Sequence, residues 1–432
     1  MSQRPLIDAI GEWLIDQALS EPDIVEVFQQ TCRRLDGAGV PLARARLTWR
    51  TLHPLFRAET LLWRRGRDVE FDQFRHREEA SEEWMRSPMK YMFDNDIVTL
   101  RRHLDGPDER IDFEMTRELK EAGYTDYFAV VTGLDGQGTD PRDHRPAFRG
   151  PGESLPFEDE GKGIIVTWAS DRPGGFSNND IRALQEIQRR FAVACKTVIQ
   201  ERIARTVTQT YLGADAGREV LRGRIRLGDG RRMKAVIWYA DMRDSTPLAD
   251  TMAPDAFLSL LNSYFELTAK PIMEAGGEVL DFIGDAVLAV FPYAADDGTG
   301  ERDASRRARR ALEEAFRNVE ARNCDHPDLA PIRFGVGLTA GEVTFGNIGV
   351  EARLTFSVIG SSINEAARIE HMTKTLHTSG LATEDVARHE PECWRSLGHH
   401  RLTGISGTCE LFAPRGVEAT SAARREAVRE SA

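Results

Sequence analysis

Two apolar runs, each stopped by an aspartate, constrain this chain more than any other feature. The first is Ala235-Val236-Ile237-Trp238-Tyr239-Ala240-Asp241, and the second runs from Asp281 to Phe291 with Asp285 inside it. An apolar run that stops at a carboxylate reads as a buried strand presenting an acid at its exposed end. The two acids stand 44 residues apart, and the pattern from Asp255 to Met273 between them is that of a helix. Two such acids on adjacent strands make a hard-oxygen site suited to Mg²⁺ or Mn²⁺. Paired divalent ions of this kind are a common device of phosphoryl chemistry.

Composition sets the outer limits. A chain of 432 residues has room for two or three domains. Its net charge of −12 excludes general affinity for nucleic acid or an anionic membrane, but not a local phosphate site. The five cysteines show neither disulfide nor zinc spacing, which points to a reducing compartment. Neither a secretory leader nor an apolar run of the roughly 20 residues needed to span a bilayer is visible. The expectation is a cytoplasmic protein without membrane or nucleic-acid partners.

Residues 1–176 mix helix and strand signals. Leu6, Ile7, Ile10, Trp13, Leu14 and Ala18 share one helical face, and a second helix is expected from Asp23 to Leu35. Strands are expected at 43–49, 60–63, 127–131 and 163–168, with a mobile Gly-, Pro- and Asp-rich loop at 133–161. Helices flanking a sheet of antiparallel character resemble a GAF-like domain, as a sensor or as a scaffold for dimerisation. Residues 177–232 form a helical linker, opened by Ser177 as N-cap. Leu184, Ile187, Phe191, Ala194 and Val198 repeat at the spacing of a coiled-coil seam, or of a buried helix packed on the N-terminal domain.

Residues 233–415 are ordered more clearly. A strand ends at Asp241, a helix follows from Pro254 to Ala275, and a hairpin turns at Gly284-Asp285. A helix at 304–323, strands at 332–338, 342–347 and 356–359, and a helix at 363–375 complete the set. The order βαββαβ predicts an α+β, ferredoxin-like sheet. Residues 416–432 read as a disordered tail.

Four ordered motifs then carry a specific resemblance. Ala240-Asp241-Met242-Arg243-Asp244-Ser245-Thr246 resembles F-A-D-[IM]-R-G-F-T, and Gly276 to Phe291 resembles a metal-bearing hairpin. Gly341 to Gly349 resembles G-E-V-x-x-G-N-I-G, and Val358 to Arg368 resembles V-I-G-D-x-V-N-x-A-A-R. Together they are similar to the catalytic domain of class III nucleotidyl cyclases of bacterial type. The resemblance implies a homodimer converting a nucleoside triphosphate to a 3′,5′-cyclic nucleotide and pyrophosphate, with two Mg²⁺ or Mn²⁺ ions per site. It gives the metals to Asp241, Met242 and Asp285, and the substrate to Asp281, Ser357, Asp244, Ser245, Thr246 and Gly284. Asn364 would orient the ribose and Arg368 would stabilise charge on the α-phosphate, both from the partner of the chain that holds the metals.

The departures bear on substrate. Adenine-selective relatives carry Lys where this chain has Asp281, and Thr or Asp where it has Ser357; guanine-selective relatives often place Glu and Cys there. An acid at 281 can accept from guanine N1–H and N2–H₂, so local chemistry leans to GTP, while bacterial cyclases of this architecture favour ATP; the resemblance decides for an adenylate cyclase, with a guanylate cyclase as the alternative. Thr403 replaces a basic residue that contacts the triphosphate in relatives, which either raises the substrate KM or leaves that role to Arg353 or Arg401. A diguanylate cyclase is disfavoured because Gly276-Gly277-Glu278-Val279 leads into a strand rather than an acidic turn. A catalytically weak nucleotide-binding signalling module is the remaining alternative.

Overall fold

The computed structural model describes residues 4–20, 23–76, 81–134, 163–294, 298–350, 353–405 and 407–416. Most of the loop expected at 133–161 and nearly all of the C-terminal tail lie outside the described residues. The chain divides into two compact units, Met1–Val207 and Thr208–Ala432.

The first unit opens with helices α1 (Arg4–Ala18) and α2 (Ile24–Gly37). Strands β1 (Arg44–Arg50), β2 (Phe56–Arg64) and β3 (Glu70–Arg75) follow, then α3 (Glu82–Met85), α4 (Pro88–Asp94), β4 (Thr99–His103) and α5 (Glu114–Glu121). Strands β5 (Asp126–Gly133) and β6 (Gly163–Ser170) lead into the long helix α6 (Asn178–Leu212). The six strands form one antiparallel sheet in the order β3-β2-β1-β6-β5-β4. Alternation along β1 explains its two faces. Ala45, Leu47 and Trp49 enter a core with Phe28, Trp63, Trp168 and Phe191, while the intervening residues face the other side. There Met92, Phe93 and Leu119 from α4 and α5 cover Tyr127 and Ala129.

The apolar repeat on α6 has its partner within the chain. Leu184, Ile187, Phe191 and Ala194 are fully buried and Val198 nearly so, all in the core beneath the sheet. That seam therefore serves the buried-helix alternative, not a coiled coil, because the first unit already covers it. Ser177 caps the helix reciprocally: Asp180 N–H donates to Ser177 Oγ at 3.2 Å, and Ser177 N–H donates to Asp180 Oδ2 at 2.7 Å.

After the last residues of α6, the second unit continues with α7 (Ala214–Leu221), which occupies part of the expected polar linker. Then come β7 (Gly230–Met242), α8 (Ser245–Thr251), α9 (Pro254–Glu274), β8 (Glu278–Ile283), β9 (Ala286–Tyr293) and α10 (Thr299–Asp325). The chain continues through β10 (Phe334–Val350), β11 (Arg353–Ile359), α11 (Ser361–Thr375), β12 (Gly380–Thr383), α12 (Glu384–Ala387), β13 (Trp394–His400) and β14 (Cys409–Pro414). The sheet order is β13-β14-β12-β10-β7-β9-β8, with β11 paired to β10. Its centre, β10-β7-β9-β8, is antiparallel throughout and carries the βαββαβ connections of an α+β, ferredoxin-like fold.

One expected pair of strands is a single element. The segments at 332–338 and 342–347 belong to the continuous β10, whose ladder with β7 runs unbroken from Phe334 to Gly346. Gly341 between them, and Gly337 within the first, serve packing, not a turn. A Cβ at Gly337 would stand 2.2 Å from the Ala366 carbonyl oxygen, so α11 can lie on β10 only where side chains are missing.

Candidate active site

The ladder fixes where the two aspartates come to rest. Asp241, at the end of β7, lies opposite Ala286 of β9 on one side and Gly335 of β10 on the other. Asp285 occupies the two-residue turn before Ala286, with Gly284 at φ +67° taking the left-handed position that a larger residue would resist. The hairpin thus carries the second carboxylate to the side of the first. Burial raises the Asp241 pKa, Asp285 raises it further, and Lys374 and Arg243 oppose the rise.

A third acid joins them from α11. Glu370 is buried beside Gly335, where a Cβ would stand 2.4 Å from its Oε1. Burial and then the charge of Asp241 push its pKa up to about 7. One turn later, Lys374 Nζ lies 3.6 Å from Asp241 Oδ2. Arg243 donates to Thr373 Oγ1 at 2.8 Å and to the Thr378 carbonyl at 3.1 Å, tying the end of β7 to α11. Below this group the Tyr264 hydroxyl is buried without a hydrogen-bond partner among the described residues. Burial and the fields of Asp241, Asp285 and Glu370 hold its pKa well above the usual range.

These residues fit a hard divalent cation. Oxygen donors dominate, two carboxylates repel each other at strand ends, and the buried hydroxyl beneath them lacks a partner. Positive charge placed between Asp241 and Asp285 would relieve the repulsion that lifts the Asp241 pKa. Met242 is buried in the core, so an ion could meet it only at its backbone.

The other expected residues are distributed as follows. Asp244 has φ +58° and accepts from Arg333 Nη2 at 2.7 Å, immediately before Ser245 and Thr246 open α8. Asp281 is half-buried on the edge strand β8, opposite Leu288 and just past a bulge. Ser357 is half-buried on β11, opposite Gly346. Asn364 and Arg368 are exposed on α11, with no hydrogen-bond or ion-pair partner among the described residues. The chain therefore brings Asp241 and Asp285 together, while Asn364 and Arg368 lie on a different stripe of α11 from Glu370 and Lys374. Thr403 and Arg401 are exposed, and the Arg353 side chain lies outside the described residues.

Sequence reasoning missed Arg243, Tyr264, Glu370 and Lys374. The available signal was the four-residue spacing of Ala366, Glu370 and Lys374, one stripe of α11 that runs from an apolar residue to an acid and then a base.

Residues 230–380 match the family model described as the adenylate and guanylate cyclase catalytic domain. An adenylate cyclase of Anabaena cylindrica is 32% identical over 168 residues, which is 38% of this chain and 32% of that protein. An uncharacterized protein of Mycobacterium tuberculosis is 29% identical over 239 residues, covering 54% of this chain and 42% of that one. The chain thus spans less than half the length of these curated relatives. Among solved structures, a bacterial light-regulated adenylyl cyclase superposes with a TM-score of 0.45 at 16% identity, covering 62% of this chain and 88% of that one. The guanylyl cyclase Cya2 gives a TM-score of 0.38 at 25% identity over 44% of this chain and 96% of that one.

Proposed function

The second unit carries an adenylate and guanylate cyclase catalytic domain, and from this premise we propose that the chain converts ATP to 3′,5′-cyclic AMP and pyrophosphate as a homodimer. The observation that carries this reading is the pairing of Asp241 with Asp285 at neighbouring strand ends inside the matched domain. Cyclases of this family depend on divalent metal. Asp241 and Asp285, with the backbone of Met242, would hold two Mg²⁺ or Mn²⁺ ions, which supply Lewis acidity toward the ribose 3′-oxygen and charge neutralisation for the triphosphate.

The chain's own groups supply binding and orientation. Backbone N–H groups from Asp244 to Thr246, with the turn at Gly284, would face the phosphates, since the Arg243 N–H is donated to the Arg333 carbonyl at 2.8 Å. Asn364 positions the ribose, and Arg368 is a preplaced cation for charge that grows on the α-phosphate as the 3′-oxygen attacks. Both belong to the opposite subunit in this reading, which accords with their exposure and their separation from Asp241 within one chain. Four exposed apolar side chains of the catalytic unit, Phe282 (48%), Ile283 (50%), Leu354 (38%) and Ile359 (56%), offer an interface for the second copy. The N-terminal unit, a six-stranded antiparallel sheet between helical layers, is proposed as a GAF-like regulatory domain.

A second reading, guanylate cyclase, draws on Asp281. This half-buried carboxylate has no hydrogen-bond partner among the described residues and could accept from guanine N1–H and N2–H₂, with Ser357 beside the base. Product analysis with equal ATP and GTP in Mn²⁺ tests both readings. Cyclic AMP should predominate and should vanish in Asp285→Ala; predominant cyclic GMP would transfer the assignment to GTP, and no cyclic product would end it.

A further inference from the structure

Two cations face the acids at the end of β7, and they differ in how firmly they are held. Arg243 is fixed, because its Nη2 donates to Thr373 Oγ1 at 2.8 Å and to the Thr378 carbonyl at 3.1 Å. A Cβ at Gly335 would meet Glu370 Oε1, Thr373 Oγ1 and Arg243 Nη2 within 3.3 Å, so these groups pack closely over the glycine. Lys374 has no such anchors. It lies in the last turn of α11 with a side chain 42% exposed, and Asp241 is its one ion-pair partner among the described residues.

A lysine in the last turn of a helix is ordinary, since it complements the helix dipole. This one has a second effect, because its Nζ stands 3.6 Å from Asp241 Oδ2. Burial and then a neighbouring acid lift the pKa values of Asp241 and Glu370, and in both Lys374 counters the rise ahead of Arg243. Lys374 thus gives Asp241 positive charge of the kind a metal ion would give. The two cations are poor neighbours. A divalent ion lies about 2 Å from a carboxylate oxygen that binds it, and an ammonium beside the same carboxylate meets it as a like charge. Lys374 is the cation that can yield, because its flexible stem leads to solvent and a free ammonium is strongly hydrated.

We propose that Lys374 competes with the divalent cation for Asp241, screening the carboxylate until the ion displaces the ammonium into solvent. This competition presupposes that Asp241 and Asp285 hold the metal, as proposed above. It keeps the site weak toward a bare ion and favours one that arrives with the oxygens of a triphosphate.

The test is Mn²⁺ binding to the full chain without nucleotide, read by electron paramagnetic resonance of the free ion. Lys374→Gln should tighten binding about threefold or more, and Lys374→Glu further. Lys374→Arg keeps the charge and should stay within about twofold of the wild type. Lys270→Gln removes an exposed charge elsewhere on the unit, one paired with Glu274 at 3.9 Å, and should leave the affinity unchanged. Asp285→Ala should lose the same Mn²⁺ site. On the wild-type chain, acylation of the Lys374 amine, followed by mass spectrometry, should run about twofold faster or more in saturating Mn²⁺ than in EDTA. That measurement needs no variant to fold. Equal or weaker binding by Lys374→Gln, an equal gain in Lys270→Gln, or acylation no faster in Mn²⁺ would each overturn the competition and leave the metal site standing. Mn²⁺ binding that survives Asp285→Ala unchanged, or no Mn²⁺ binding at all, would instead remove the metal reading and the competition with it.

Discussion

Asp285 rests on a turn that tolerates change, so its removal should separate chemistry from folding. Asp285→Ala should lower cyclase turnover on the order of 10²-fold or more while the melting temperature holds, measured by product formation and circular dichroism. Glu370 gives the complementary case, in which stability responds and pH is the lever. Its pKa in the folded chain is about 7, against an ordinary glutamate value of 4.5. Between those values the folded chain holds a proton that the unfolded chain has released. The stability tied to this group is therefore present at acid pH and is lost as pH rises toward 7. In EDTA, the Glu370→Gln melting temperature should change less from pH 4.5 to 7 than that of the wild type; parallel profiles would refute the assignment. Only part of this chemistry was legible from residues. The two aspartates announced themselves by ending apolar runs, whereas Glu370 and Tyr264 look like ordinary helix residues until the sheet places Gly335 opposite Asp241.

Legibility among the elements followed burial. Strands β1, β5, β6, β7 and β9 are apolar or alternate cleanly, and the sequence marks all of them. Strand β3 was missed because all six of its residues, Glu70-Phe71-Asp72-Gln73-Phe74-Arg75, are exposed at the edge of the sheet. Strand β4 hides its pattern behind Arg101 and Arg102, which reach Asp126 and Asp112. Gly337 and Gly341 of β10 bring α11 close, which makes the pairing of these two elements fragile. Gly337→Ala sets a methyl group 2.2 Å from the Ala366 carbonyl. It should cost about 1–3 kcal/mol or more, read as a lower melting temperature, and should reduce turnover by displacing Asn364 and Arg368 together. Helix α6 is tied down from the other side. Buried Glu59 of β2 accepts from Arg202 Nε at 2.9 Å and Nη2 at 3.1 Å, and from Gln73 at 2.8 Å. Glu59→Ala should leave residues 184–195 protected and speed amide exchange around Arg202 several-fold, because that stretch of α6 depends on a polar clamp more than on apolar contact. Uniform protection along the helix would count against the clamp.

At the scale of the whole molecule, the central question is whether one chain can complete a site. The acids at Asp241 and Asp285 lie together, while Asn364 and Arg368 stand exposed elsewhere on the unit without partners among the described residues. The proposed two-fold dimer would resolve this by giving each site the acids of one chain and the cation of the other. The consequence can be tested with two inactive variants. Asp285→Ala lacks a metal acid and keeps Arg368; Arg368→Ala has the converse defect. In a mixed dimer one site combines both defects and the other is intact. Random assortment makes half the dimers mixed, each with one working site of two, so co-expression should restore about a quarter of wild-type turnover. A site completed within one chain predicts no recovery at any mixing ratio. Phe282→Glu, at the exposed apolar edge of β8, should abolish both the recovered activity and the proposed dimer, with sedimentation as the readout. Failure of complementation with an intact dimer would instead show that both halves of the site come from the same chain.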